Sequence, residues 1–168
     1  MERRSFIQGA IGAVAGVVLA PFVVKKTLGE TQKARSPIVK IRRSKREWKK
    51  LLSPEQFRVL REEGTEKPFT SPLLKTKEKG VYVCAGCELE LFTSDMKYES
   101  GTGWPSFFTT IPGRLETKKD FKLLYPRTEY HCARCEGHQG HVFNDGPPPT
   151  RQRWCNNGIA LKFRRAAG

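Results

Sequence analysis

Gly80-Val81-Tyr82-Val83-Cys84-Ala85-Gly86-Cys87 decides how the chain is read. The first five residues have the β-branched and aromatic composition of a strand, and the last four close on a C-x-x-C turn. The turn recurs as Cys132-Ala133-Arg134-Cys135, with 44 residues between the two pairs. Two residues between thiolates let one tight turn aim both sulfurs at a tetrahedral ion, and two such turns complete a closed four-sulfur site. Thiolate ligands with no other metal signature favour zinc. Cys84, Cys87, Cys132 and Cys135 are therefore the expected ligands of one structural zinc, which would staple distant parts of a sheet. Disulfides and C-x-x-C redox pairs are the competing readings.

Outward from this stretch the chain reads as mainly β. Alternating Ile159, Leu161 and Phe163 form another strand-like run, and 15 glycines and 11 prolines punctuate the 168 residues. A short helix precedes the strands. Ser53 caps it, Pro54 takes its first position, Gln56 completes a capping box, Phe57 and Leu60 form its apolar face, and Gly64 stops it.

The net charge of +14 raises nucleic acid as a partner, but its distribution argues against one. Residues 1–50 hold 13 Lys/Arg against three Glu, whereas residues 51–168 hold 18 Lys/Arg against 14 Asp/Glu. The basicity belongs to an N-terminal arm. From Ser5 to Val24 runs a stretch of 20 uncharged residues, preceded by Arg3-Arg4 and followed by Lys25-Lys26. About 20 apolar residues span a bilayer as a helix, while Arg3-Arg4-Ser5-Phe6-Ile7 resembles a twin-arginine export signal. Residues 1–25 are thus expected to be a twin-arginine-like signal or a membrane anchor. Residues 26–46 are expected to be a basic linker and residues 47–168 the domain, exported to the periplasm or anchored on the outer side of the cytoplasmic membrane.

A fifth cysteine lies in Arg153-Trp154-Cys155-Asn156-Asn157. In an extended chain Arg153, Cys155 and Asn157 share one face, and a guanidinium beside a thiol favours the nucleophilic thiolate. This segment alone supports a nucleophile and a small buried cysteine before an Asn157-Gly158 hairpin turn equally well. The balance shifts with His138-Gln139-Gly140-His141-Val142-Phe143-Asn144-Asp145-Gly146, where two imidazoles and a carboxylate offer proton transfer near neutral pH. Gly101-Thr102-Gly103-Trp104-Pro105-Ser106-Phe107 presents an indole on a rigid turn, either as core or as the wall of a pocket for a methyl or thioether group.

Together these motifs resemble the B-type peptide methionine sulfoxide reductases over residues 48–165, including Arg61-Glu62-Glu63-Gly64-Thr65-Glu66-Lys67-Pro68-Phe69. The resemblance implies two antiparallel sheets, a zinc site remote from the chemistry, and reduction of the R epimer of methionine sulfoxide in peptides and proteins. It implies that Cys155 attacks the sulfoxide sulfur and becomes a sulfenic acid while His141 and His138 manage the proton, with Asp145 in support. Trp104 would hold the substrate methyl, and Arg153 and Asn157 would order the thiolate and its surroundings. Thr102 stands where many members carry a resolving cysteine, so an external thiol reductant, such as a thioredoxin-like protein, is expected to regenerate Cys155. Trp154 replaces the usual Tyr or Phe beside the nucleophile. The rival reading is an exported zinc-ribbon binding module without catalysis, which leaves Cys155 and the two histidines unexplained.

Overall fold

The computed structural model describes residues 37–167. The candidate signal or anchor at residues 1–25 lies outside the described residues, as does most of the expected linker. Its last ten residues are ordered against the body. Lys40 pairs with Glu116 at 2.7 Å, the Ile41 N–H donates to the Arg134 carbonyl at 2.7 Å, and Ile38 and Ile41 pack on the core.

Two helices follow, where the sequence reading expected one. In α1 (Lys45–Leu51), Ser44 and Glu47 form a reciprocal capping box, and in α2 (Pro54–Glu62) Ser53 and Gln56 form another. The Ser44-Lys45-Arg46-Glu47 signal was legible but sat inside the segment read as linker. At the end of α2 the left-handed residue is Glu63 (φ 53°), not Gly64. Gly64 is needed for close approach instead, since a Cβ there would lie 3.0 Å from the Arg58 carbonyl oxygen.

Among the described residues nine strands complete the body: β1 (Gly80–Cys84), β2 (Glu90–Thr93), β3 (Lys97–Tyr98), β4 (Ser106–Phe107), β5 (Leu115–Asp120), β6 (Arg127–Cys132), β7 (His138–Phe143), β8 (Arg153–Asn156) and β9 (Leu161–Arg165). They form two antiparallel sheets, ordered β2-β1-β9 and β3-β4-β8-β7-β6-β5. The sheets meet through aromatic side chains. Phe107 stacks on Phe92 at 3.9 Å between ring centres, Tyr82 meets Phe107 edge-on at 5.0 Å, and Phe92 meets Tyr130 edge-on at 6.5 Å; within the larger sheet Tyr130 meets Trp154 edge-on at 4.9 Å. Tyr82, Phe92, Phe107 and Tyr130 are wholly buried, and truncating such a side chain costs about 3–5 kcal/mol. Because side chains alternate along a strand, committing Trp154 and Phe107 to the core turns Cys155 and Ser106 to the opposite face.

Asn157-Gly158 does not close a hairpin. It joins β8 of one sheet to β9 of the other through a short 3-10 turn, Gly158–Ala160. Gly158 is required there by crowding, because a Cβ would fall 1.9 Å from the Ser71 hydroxyl.

Candidate active site

Strand register assembles the site. Cys155 pairs with His141, His141 with Glu129, and Glu129 with Lys118; on the other side Cys155 pairs with Ser106 and Ser106 with Tyr98. Direct cross-strand partners share a face, so this single row crosses all six strands of the larger sheet. Gly140 permits the tight β7–β8 pairing, since a Cβ there would strike the Cys155 carbonyl oxygen at 1.9 Å.

His138 and His141 are three residues apart, which strict alternation would place on opposite faces. A register shift between Tyr130 and His131 of β6 absorbs the extra residue, and the two rings lie 5.5 Å apart. Each imidazole has a carboxylate partner. His138 Nδ1 is 2.9 Å from Glu129, and His141 Nε2 is 2.7 Å from Asp120. Neither carboxylate was found from the sequence. Asp120 and Glu129 lie 21 and 12 positions before His141 and approach it only because β5, β6 and β7 are neighbours.

Asp145, expected to support the histidines, instead clamps Arg153 through two 2.9 Å hydrogen bonds. The Arg153 guanidinium also lies 4.4 Å from the centre of the Phe143 ring. It faces Cys155, where it and the Thr102 hydroxyl favour the thiolate. Burial outweighs both and pushes the Cys155 thiol above its ordinary range. Burial likewise lowers His141, against the upward pull of its hydrogen bond to Asp120. Asp120 is held well below the usual carboxylate range by the Lys122 N–H, His141 and Arg127, despite its burial. The resting site therefore combines a neutral thiol with a neutral imidazole at neutral pH. A cavity of about 330 Å³ bounded by Glu63, Lys118, Lys119, Asp120, Phe121, Lys122 and Glu129 lies behind the carboxylates, its lysines largely paired with them and with Glu63.

Trp104 sits on the turn before β4, next to Pro105, whose carbonyl accepts the Asn156 N–H at 2.9 Å. Its indole N–H donates to the Glu66 carbonyl at 3.1 Å. Glu66, to which the sequence assigned no role, is buried and binds this turn to the end of β8. Its carboxylate accepts the Gly158 and Ile159 N–H groups, and its own N–H donates to the Asn157 side chain. Asn157 also donates to the Gln139 carbonyl at 3.0 Å, so both ends of its amide brace the protein. Eight buried polar side-chain atoms have no partner among the described residues, and the Tyr98 hydroxyl and His138 Nε2 are the two on the row of residues that carries Cys155 and His141 or beside it. Such atoms are free to meet a bound polar group.

The four knuckle cysteines form a separate cluster with every Sγ within 4.8 Å of the others, and the cross-knuckle pairs Cys84–Cys135 and Cys87–Cys132 at 3.6 and 3.5 Å. A tetrahedron of about 2.3 Å metal–sulfur bonds has edges of about 3.8 Å, which these spacings match. They are far too long for disulfides, whose sulfurs lie about 2.05 Å apart. The cysteines are positioned to bind a metal ion, and the redox-pair and disulfide readings lose their support.

A family model described as the SelR domain matches residues 52–165. The chain belongs to the SelR-domain family of B-type methionine sulfoxide reductases. Similar proteins include the peptide methionine sulfoxide reductase MsrB of Methanosarcina barkeri, 53% identical over 125 residues that cover 74% of this chain and 88% of that one. The MsrB of Leptospira interrogans is 52% identical, covering 74% of this chain and 96% of its own. The mitochondrial methionine-R-sulfoxide reductase B2 of the rat is 50% identical, covering 74% and 76%.

Proposed function

We propose that this protein is a peptide-methionine (R)-S-oxide reductase with Cys155 as its nucleophile. One observation carries the assignment of roles: within a family of sulfoxide reductases, Cys155 is the direct cross-strand partner of His141, beside a second histidine and a clamped arginine.

His141 takes the thiol proton as substrate enters, and Arg153 and Thr102 stabilise the resulting thiolate. The thiolate attacks the sulfoxide sulfur, with the His141–His138 pair delivering a proton to the oxygen and Trp104 walling the methyl side. The oxygen ends on Cys155 as a sulfenic acid. The substrate sulfur gains two electrons and leaves as the thioether of methionine, while the Cys155 sulfur loses two. An external thiol, such as a thioredoxin-like protein, then attacks the sulfenic sulfur, releasing water and leaving a mixed disulfide. A second thiol frees Cys155. Cys84, Cys87, Cys132 and Cys135 would hold one structural zinc, which adds folding energy through a closed site. Oxidised peptides and proteins are the substrates. The twin-arginine-like leader carries the folded, metal-loaded chain to the outer side of the cytoplasmic membrane, which replacement of Arg3 and Arg4 by lysine would block.

The test offers the purified protein each epimer of a methionine sulfoxide peptide with dithiothreitol, alongside Cys155→Ser. Turnover of the R epimer alone, lost in the variant, is expected. No turnover by a folded, metal-loaded sample, or unchanged turnover by Cys155→Ser, would overturn the reading.

A further inference from the structure

The metal knuckles and the nucleophile's strand are joined by one wholly buried side chain, Gln139 on β7. Its Nε2 donates to Cys84 Sγ at 3.4 Å, and its Oε1 accepts from Asn156 Nδ2 at 3.4 Å. Asn156 follows Cys155 directly. Its Nδ2 also donates to the Asn157 carbonyl at 2.8 Å, and its Oδ1 accepts the Tyr130 hydroxyl at 2.9 Å. The Gln139 backbone carbonyl accepts the Asn157 N–H at 2.8 Å. Cys84, Tyr130, Gln139 and Asn156 are all 0% exposed, so bulk solvent reaches none of these bonds.

The direction of this chain is fixed. A carbonyl only accepts, so the Asn157 carbonyl orients the Asn156 amide with its NH₂ inward. That NH₂ then faces the Gln139 oxygen, which leaves the Gln139 NH₂ pointing at Cys84. The sulfur must accept, as a metal-bound thiolate does, having no proton to donate. A thiolate also strengthens the N–H···S bond by charge. Tyr130, at the far end, packs on Trp154, so the residues on both sides of Cys155 are held by one network.

We propose that Gln139 is a positioning residue that couples the four-cysteine metal centre to the strand carrying Cys155, so that the state of the metal is felt at the nucleophile. This rests on the reading that the cysteines hold a metal. Buried polar chains of this kind are worth their burial only when every member is satisfied, which makes them transmit a change at one end to the other.

The experiment exchanges zinc for cadmium in the full chain labelled with nitrogen-15, and follows the side-chain amide signals of Gln139 and Asn156, the Cys155 N–H and the rate of Cys155 alkylation by iodoacetamide. In the wild type the exchange shifts all three signals and changes the alkylation rate by about twofold or more. In Gln139→Leu the response at Asn156 and Cys155 disappears, and zinc passes to a chelator about tenfold faster. Gln139→Glu keeps the acceptor toward Asn156 and withdraws the donor from sulfur, and it too speeds metal release. Shifts confined to the four cysteines in the wild type overturn the coupling without need of any variant, as does an undiminished Asn156 response in Gln139→Leu. A folded wild type that binds neither ion overturns the metal reading itself.

Discussion

Arg153 and Asp145 are locked together by two parallel 2.9 Å hydrogen bonds, which fixes the guanidinium beside Cys155. Arg153 opposes the burial that raises the Cys155 thiol. Arg153→Met is therefore expected to slow iodoacetamide alkylation of Cys155 at neutral pH by about tenfold. Asp145→Asn loosens the clamp but keeps the guanidinium and removes a carboxylate that pushes the thiol up, so it should stay nearer the wild type than Arg153→Met. Equal rates in all three would show that the guanidinium does not stabilise the thiolate.

The Thr102 hydroxyl stands near enough to Cys155 to favour its thiolate. On the proposed mechanism a thiol introduced there resolves the sulfenic acid, so Thr102→Cys should lose two thiols in a single turnover, forming a disulfide with Cys155 and releasing water. The wild type should lose one and yield a sulfenic acid trapped by dimedone. Mass mapping of both after one equivalent of substrate checks the pair.

Glu66 ties the Trp104 turn to the Gly158–Ala160 turn. Glu66→Ala strands two N–H groups that its carboxylate satisfies, at a cost of about 2–4 kcal/mol. Urea unfolding should register that loss. In whatever fraction folds, KM should rise more than kcat falls, because the turn carrying Trp104, the proposed substrate wall, is loosened and Cys155 is untouched.

Stability should depend on Glu63 in acid. Hydrogen bonds from Lys118 and Lys122 hold its carboxyl down from 4.5 to about 2. A depressed folded-state pKa stabilises above the unfolded value and is lost as pH falls through the folded one, so this contribution disappears between pH 4.5 and about 2. Glu63→Gln should flatten the fall of the urea midpoint across that window. An identical slope in variant and wild type would place the acid sensitivity elsewhere.

Arg61 should govern metal retention. Its guanidinium lies 3.9 Å from the centre of the Trp48 ring and donates to the Cys135 carbonyl at 2.7 Å. Gly137 leaves room for it, since a Cβ there would come within 3.2 Å of Arg61 Nη2. Four thiolates around a divalent ion are formally doubly negative, and a buried centre of that kind needs a cation beside it. Arg61→Met should release zinc to a chelator about tenfold faster, with Arg61→Lys retaining part of the effect.

Local signals in the sequence settled what local geometry controls. The C-x-x-C spacing dictates two turns that each aim paired sulfurs one way, the Ser53–Gln56 box starts a helix, and the Cys155, His138 and His141 segments supply a thiol and two imidazoles. Tertiary structure decided which groups meet. Asp120 and Glu129 reach the histidines through the order β5-β6-β7, and both imidazoles face one side only because a register shift on β6 absorbs a residue. Asp145 belongs to Arg153, Glu66 reaches Gly158 across 92 positions, and Gln139 lies between Cys84 and Asn156. Turn and cap signals act over a few residues and are written in their types. Strand register is set by closing the whole aromatic core, so it exists only in the folded chain.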